Sequence, residues 1–236
     1  MTGGAHGGEQ VRMMGRSSGV HARNVGGAPD SRDGVVTLMS QVGFTEVNGT
    51  DAIGTQSMSA YAQQLGRLER EYGAIGAVPT AIVGADGSGF YAAAGSVGDG
   101  AVLMLNRQSA GNAARMAKAH AAEERSGFKM PTDGRLTSQA GYTVTHEYGH
   151  LLQNALYQRA KANGYNGTEE QFRAGAKRAI TRKAVGTYGG RDSQLSRYGH
   201  YNTAEFFAEA FANSQLGRPN AFGKAMSDYL RDHRLK

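Results

Sequence analysis

QAGYTVTHEYGHLLQNALYQRAKANG, residues 139–164, is the stretch that decides how this chain is read. Val144, Leu151, Leu152 and Leu156 recur at helical spacing, which predicts a helix near residues 138–163 with one face for packing. Inside it, HEYGH (146–150) places His146 and His150 four positions apart. Residues at i and i+4 project from one helical face one turn apart, so two imidazoles there can share a single ion. A glutamate directly after the first histidine completes the H-E-x-x-H pattern, in which the carboxylate serves as a base beside the metal.

Two histidines do not make a site. The chain has no cysteine, which excludes thiolate ligands, disulfides and a cysteine nucleophile, so further ligands must come from His, Asp or Glu. A catalytic zinc takes three protein ligands and keeps one position open. A metzincin extension needs glycine at position 153 and histidine at position 156, where this chain has Gln153 and Leu156. An aspzincin-like reading of GTYGGRD fails at Gly189, which stands where the aspartate is required and leaves Asp192 as a poor substitute. Glu205 in NTAEFFAEAFA is the best candidate, because Phe206, Phe207, Ala210 and Phe211 give its helix an apolar body and bring it into the packing. Glu209 follows one turn later on the same face. Since zinc-bound histidines donate their free ring N–H to a carboxylate or carbonyl, Glu209 is expected to accept from His146 without touching the metal.

The rest of the chain frames these blocks. Residues 1–34 are rich in Gly, Ser and Arg without apolar periodicity and read as a flexible leader, so the domain proper is expected to span residues 35–236. The apolar run VVTLM follows, then a covering helix carrying Tyr61, Leu65, Leu68 and Tyr72. The runs TAIVG (80–84), GFYAAA (89–94) and AVLMLN (101–106) read as strands, and the Asp-Gly turns between them favour antiparallel hairpins. Further helices are expected over GNAARMAKAHAAEER, over TEEQFRAGAKRAITRKA behind a threonine cap, and after Pro219. The formal charge of +6 comes from scattered basic residues with no nucleic-acid-binding module, so no nucleic acid partner is expected. Without a Sec-type signal or an apolar run of spanning length, the expected location is cytoplasmic, virion-associated or reached by a non-classical route. His120 and His200 read as ordinary histidines, and the Gly-rich GADGSG and GSVGDG as hairpin turns.

HEYGH followed by LSRYGHYNTAEFFAEAFA resembles the gluzincin metallopeptidases. The second block looks closely like the catalytic domain of anthrax lethal factor and is similar to zincin domains of phage minor head proteins. Both groups carry a Ser-x-Tyr-Gly/Ala element shortly before the glutamate helix, matched here by Ser196, Arg197, Tyr198 and Gly199. The similarity is confined to roughly residues 100–215. It implies that His146, His150 and Glu205 bind zinc and that Glu147 deprotonates the water zinc activates, then protonates the leaving amine. Tyr198 would donate its phenol to the oxyanion.

The expectation is therefore an α+β, zincin-like fold, with a small antiparallel or mixed sheet packed on the HExxH helix and a helical C-terminal part. Its activity would be zinc-dependent hydrolysis of internal peptide bonds in a protein or peptide substrate. The substrate would lie extended along AVLMLN, against Leu103, Met104 and Leu105, as an added strand. An alternative is a phage virion or assembly protein that keeps a zincin-type module with little or no hydrolysis, and a third is a delivered toxin-type protease.

Overall fold

The computed structural model describes residues 31–49, 51, 53–73, 80–85, 90–97, 100–109, 111–131 and 139–233. In chain order these form α1 (Arg32–Gln41), β1 (Glu46–Asn48), α2 (Thr55–Tyr72), β2 (Thr80–Ala85), β3 (Ala92–Val97), β4 (Gly100–Asn106), α3 (Ala113–Arg125), α4 (Gln139–Ala162), α5 (Glu169–Tyr188), α6 (Thr203–Ser214) and α7 (Ala221–Asp232). The architecture is mixed α and β and mostly helical.

Local chemistry accounts for the helix ends. Ser31 caps α1 by accepting from the Gly34 N–H, Asn112 caps α3 through Arg115, and Thr168 forms a reciprocal capping box with Gln171 at α5. Asn202 accepts from the Glu205 N–H and so sets where α6 begins. Gly73 closes α2 with φ 61°, a left-handed value that glycine adopts without strain. VVTLM belongs to α1, which starts at Arg32, inside the segment read as a leader; residues 1–30 of that segment lie outside the described residues.

The four-stranded sheet has the order β1-β2-β4-β3. β1, β2 and β4 are parallel, and β3 runs antiparallel to β4 with Ala94 opposite Leu103. The antiparallel pairing expected of all three runs thus holds for β3 and β4 alone. The expected turns in GADGSG and GSVGDG fall on residues 86–89 and 98–99, outside the described residues, and β4 inserts between β2 and β3. This topology also corrects the expected substrate strand. β4 is hydrogen-bonded on both sides, and Leu103 and Leu105 are buried in the core, so Leu103, Met104 and Leu105 cannot take an added strand. Among the described strands the edges are β1 and β3, and β3 is the one packed against the helix that carries HEYGH.

α4 is the central helix, with β3, α2 and α6 all packed against it. Tyr61, Leu65, Leu68 and Tyr72 of α2 are buried as their spacing predicts. Tyr148 reaches from α4 to donate to Glu69 at 2.8 Å, and its ring stacks near Phe211 of α6. α6 approaches α4 most closely at Gly149. A Cβ there would sit 2.9 Å from Ala208 Cα and 3.3 Å from the Phe211 ring, inside van der Waals contact. The glycine of HEYGH is therefore what lets the two helices touch.

Gly149→Ala should lower stability by about 1–3 kcal/mol through overpacking, read as a lower midpoint in denaturant unfolding. Gly186→Ala on α5, where an added Cβ meets nothing within 4 Å, should be neutral or raise it.

Candidate metal centre

Both histidines come from the buried face of α4 and the third group from the first turn of α6. One ligand-type atom each of His146, His150 and Glu205 lies within 4.8 Å of the others. Glu205 Oε2 is 3.0 Å from His146 Nε2 and 3.5 Å from His150 Nε2. A tetrahedral zinc with bonds near 2.0–2.1 Å would hold its ligand atoms about 3.3 Å apart. The donor set, two imidazole nitrogens and a carboxylate oxygen, suits a divalent metal ion, zinc among others, and the two separations bracket that spacing.

Glu209 lies one turn beyond Glu205 and is fully buried. Its Oε1 is 2.9 Å from His146 Nδ1, Tyr142 O–H donates to it at 2.9–3.0 Å, and Ser196 O–H donates to Oε2. Burial opposes its ionisation, but these donors outweigh burial and hold the carboxyl below its usual range. An ionised carboxylate can only accept, so Nδ1 of His146 carries the hydrogen and Nε2 faces Glu205. For His146 burial disfavours the charge, yet hydrogen bonds to Glu205 and Glu209 and the charge of Glu147 overcome it and raise the pKa to about 10. Glu205 is displaced the other way: burial raises its pKa, and the two histidines bring it well below the carboxylate range. The carboxylates that hold a proton on His146 are a ready counter-charge for a cation.

Glu147 reaches the sheet and lines the same cavity as Glu205. Its Oε2 accepts the Ala94 N–H at 2.7 Å, so an outward-facing amide of the β3 edge orients it. Tyr198 sits on the 3₁₀ turn Tyr198–His200, its ring 5.4 Å from His146 and stacked on it, and 5.1 Å from Phe128. Its amide bonds to the Phe128 carbonyl at 3.1 Å and that of Arg197 to the Gly127 carbonyl at 2.9 Å, which fixes the turn against the α3–α4 connection. Burial and the charges of Glu205 and Glu147 raise the phenol pKa, so Tyr198 keeps its proton and is a donor.

Two cavities flank Glu147 and Tyr198. The larger, about 450 Å³, lies beside β3 and His150; the smaller, about 120 Å³, lies between Phe128 and Thr143. The structure thus brings together His146, Glu147, His150, Tyr198, Glu205 and Glu209, and leaves out Leu103, Met104 and Leu105. Asp192 and His200 stand apart, 4.0 Å from one another and exposed. The sequence reading missed Tyr142 and the Ala94 amide, and it placed Ser196 in a motif without its bond to Glu209. Tyr142 carries a readable signal, since it precedes His146 by four positions on the same face.

Glu209→Gln and Ser196→Ala should each weaken zinc affinity, the first by roughly 10- to 100-fold, measured by competition with a chromophoric chelator. Tyr142→Phe, like Ser196→Ala, should produce a smaller loss than Glu209→Gln, because two donors to Glu209 remain in each.

Comparison with protein-family models, with curated proteins and with solved structures finds no match to this chain.

Proposed function

We propose that this protein is a zinc-dependent metalloendopeptidase of the gluzincin type on a zincin-like fold. The observation that carries the reading is the convergence of His146, His150 and Glu205 on one point, with Glu147 between that point and the free edge of β3. The edge strand running beside the HExxH helix, followed by a helix that supplies the glutamate, also suits a zincin. The substrate would be an extended peptide paired with the edge of β3, main chain to main chain.

A bound zinc supplies Lewis acidity, polarising the scissile carbonyl and acidifying the attacking water. Glu147 takes the water's proton and delivers it to the leaving amine, and the Ala94 amide holds the carboxylate where both transfers can be made. Tyr198, protonated and anchored through its backbone, donates to the developing oxyanion. Glu209 keeps His146 in the tautomer that presents Nε2. A module used only for assembly would require neither a base at the strand edge nor a phenol beside it. No helix among the described residues is long and apolar enough to cross a membrane.

Purified protein should carry close to one equivalent of zinc by metal analysis, and His146→Ala or Glu205→Ala should lose it. With a denatured proteome as substrate, new N-termini should appear with the wild type and vanish with Glu147→Gln while zinc is retained. Cleavage that survives Glu147→Gln would sink the proposal. Tyr198→Phe should keep zinc and lower kcat by roughly 10²–10³-fold.

A further inference from the structure

The larger cavity does not end at the metal-binding residues. It continues past His150 and Leu151 to Asn154 on α4, and reaches Glu169 and Arg173 on the first turns of α5. Glu147, Leu151 and Asn154 follow one another at i, i+4 and i+7 on one face of α4 and span about 10 Å, the reach of about three residues of extended peptide. Arg173 donates through Nη2 to Glu169 Oε1, an i,i+4 pair that on an open helix face would contribute little. Two features set it apart: the guanidinium lines the same cavity as Glu147, and its Nε is buried without a hydrogen-bond partner. A guanidinium at the end of a cavity, already steadied by one ion pair, has further Nη hydrogens to offer an occupant that brings an oxygen acceptor.

Building on the peptidase reading above, we propose that the end of this cavity is a substrate subsite for a side chain bearing a carboxylate or carboxamide oxygen, selected by Arg173. Arginine's planar fork pairs with such oxygens through two N–H groups, and one Nη is already engaged by Glu169, which holds the fork in place. Asn154 accepts from Gln158 through Oδ1 at 3.4 Å, leaving its amide N–H groups as further donors. An aliphatic side chain at this end would desolvate the Arg173–Glu169 pair and offer it nothing in return. A lysine would set its charge against the guanidinium.

The orientation of the substrate follows from the cavities. Phe90 and Ala92 border both of them, whereas Ala93, Ala94 and Gly95 border only the larger, so β3 runs from the smaller cavity toward the larger. A peptide paired antiparallel to β3 therefore lays its amino-terminal part toward Arg173. The selected side chain lies two or three residues before the scissile bond.

The test separates the subsite from the peptidase reading by measuring binding and cleavage apart. An array of decapeptides varied among Glu, Gln, Leu and Lys at each position is probed with zinc-loaded, full-length Glu147→Gln protein, and with the same protein carrying Arg173→Ala or Arg173→Met in addition. Expected is an enrichment of Glu and Gln over Leu and Lys of about 10- to 100-fold at one position, lost in both double variants. The methionine variant, similar in length to arginine, guards against a packing fault in α5, and unchanged circular dichroism shows that each variant is folded. Enrichment of Leu or Lys, or a Glu and Gln preference that survives both Arg173 substitutions, overturns the subsite. The wild type is incubated with the same peptides. Arg173-dependent binding without any Glu147-dependent cleavage would overturn the peptidase reading and leave the subsite standing; cleavage without Arg173-dependent selection would do the reverse. Peptides that are neither bound by the Glu147→Gln protein nor cleaved by the wild type overturn both.

Discussion

A carboxylate removed from water must be surrounded by donors, and in this protein that requirement falls on Glu209. Its three donors come from separate parts of the chain: Tyr142 and His146 from α4, and Ser196 from the segment before α6. Satisfying it therefore locks α6 onto α4 in one rotational setting, and Glu205, a turn earlier, is carried to the two histidines by the same setting. Gly199 fits into the same arrangement, since a Cβ there would lie 3.2 Å from Glu209 Cβ. The Ser196 hydroxyl also accepts the Gly199 amide at 3.0 Å, tying the turn that bears Tyr198 to the carboxylate that orients His146.

Around that lock the site divides into a rigid side and an open side. Behind α4, Tyr148 is bonded to Glu69 and the Gln64 amide donates to Thr145 at 2.7 Å, so α2 grips the helix on the face away from the cavities. In front, Glu147 meets the edge of β3 through a single backbone hydrogen bond. Glu147 thus sits on a helix gripped from behind and faces the edge of β3. Preorganisation of this kind is what separates a reactive constellation from a merely adjacent set of side chains.

What the sequence makes legible are features that depend on local spacing. The i,i+4 relations of His146 with His150 and of Glu205 with Glu209 mark two helical faces, and the phenylalanines around Glu205 say that its helix is packed. α2 through α7 largely coincide with runs of apolar period and capping residues, whereas α1 was read only as an apolar run. Strand order was not legible, because a short continuous apolar run such as AVLMLN does not say which strands will flank it, and β1, with three residues, has no pattern at all. Backbone groups were equally silent: nothing in the letters around Ala94 announces that its amide meets Glu147. Ser196 was visible as part of a motif, but its work depends on a partner thirteen residues away.

The distance along the chain between the two halves of the centre shapes how the molecule comes together. His146 and Glu205 are 59 residues apart in sequence, and their meeting closes a loop that contains all of α5. An early, partly collapsed chain can form α4 and display its histidine pair, but it has no third ligand and no charged partner for Nδ1. The centre is consequently a late product of folding, complete only when the helical C-terminal part has docked. Any cation it then holds acts as a clasp on that final step, stabilising the docked chain by mass action while leaving the undocked one untouched.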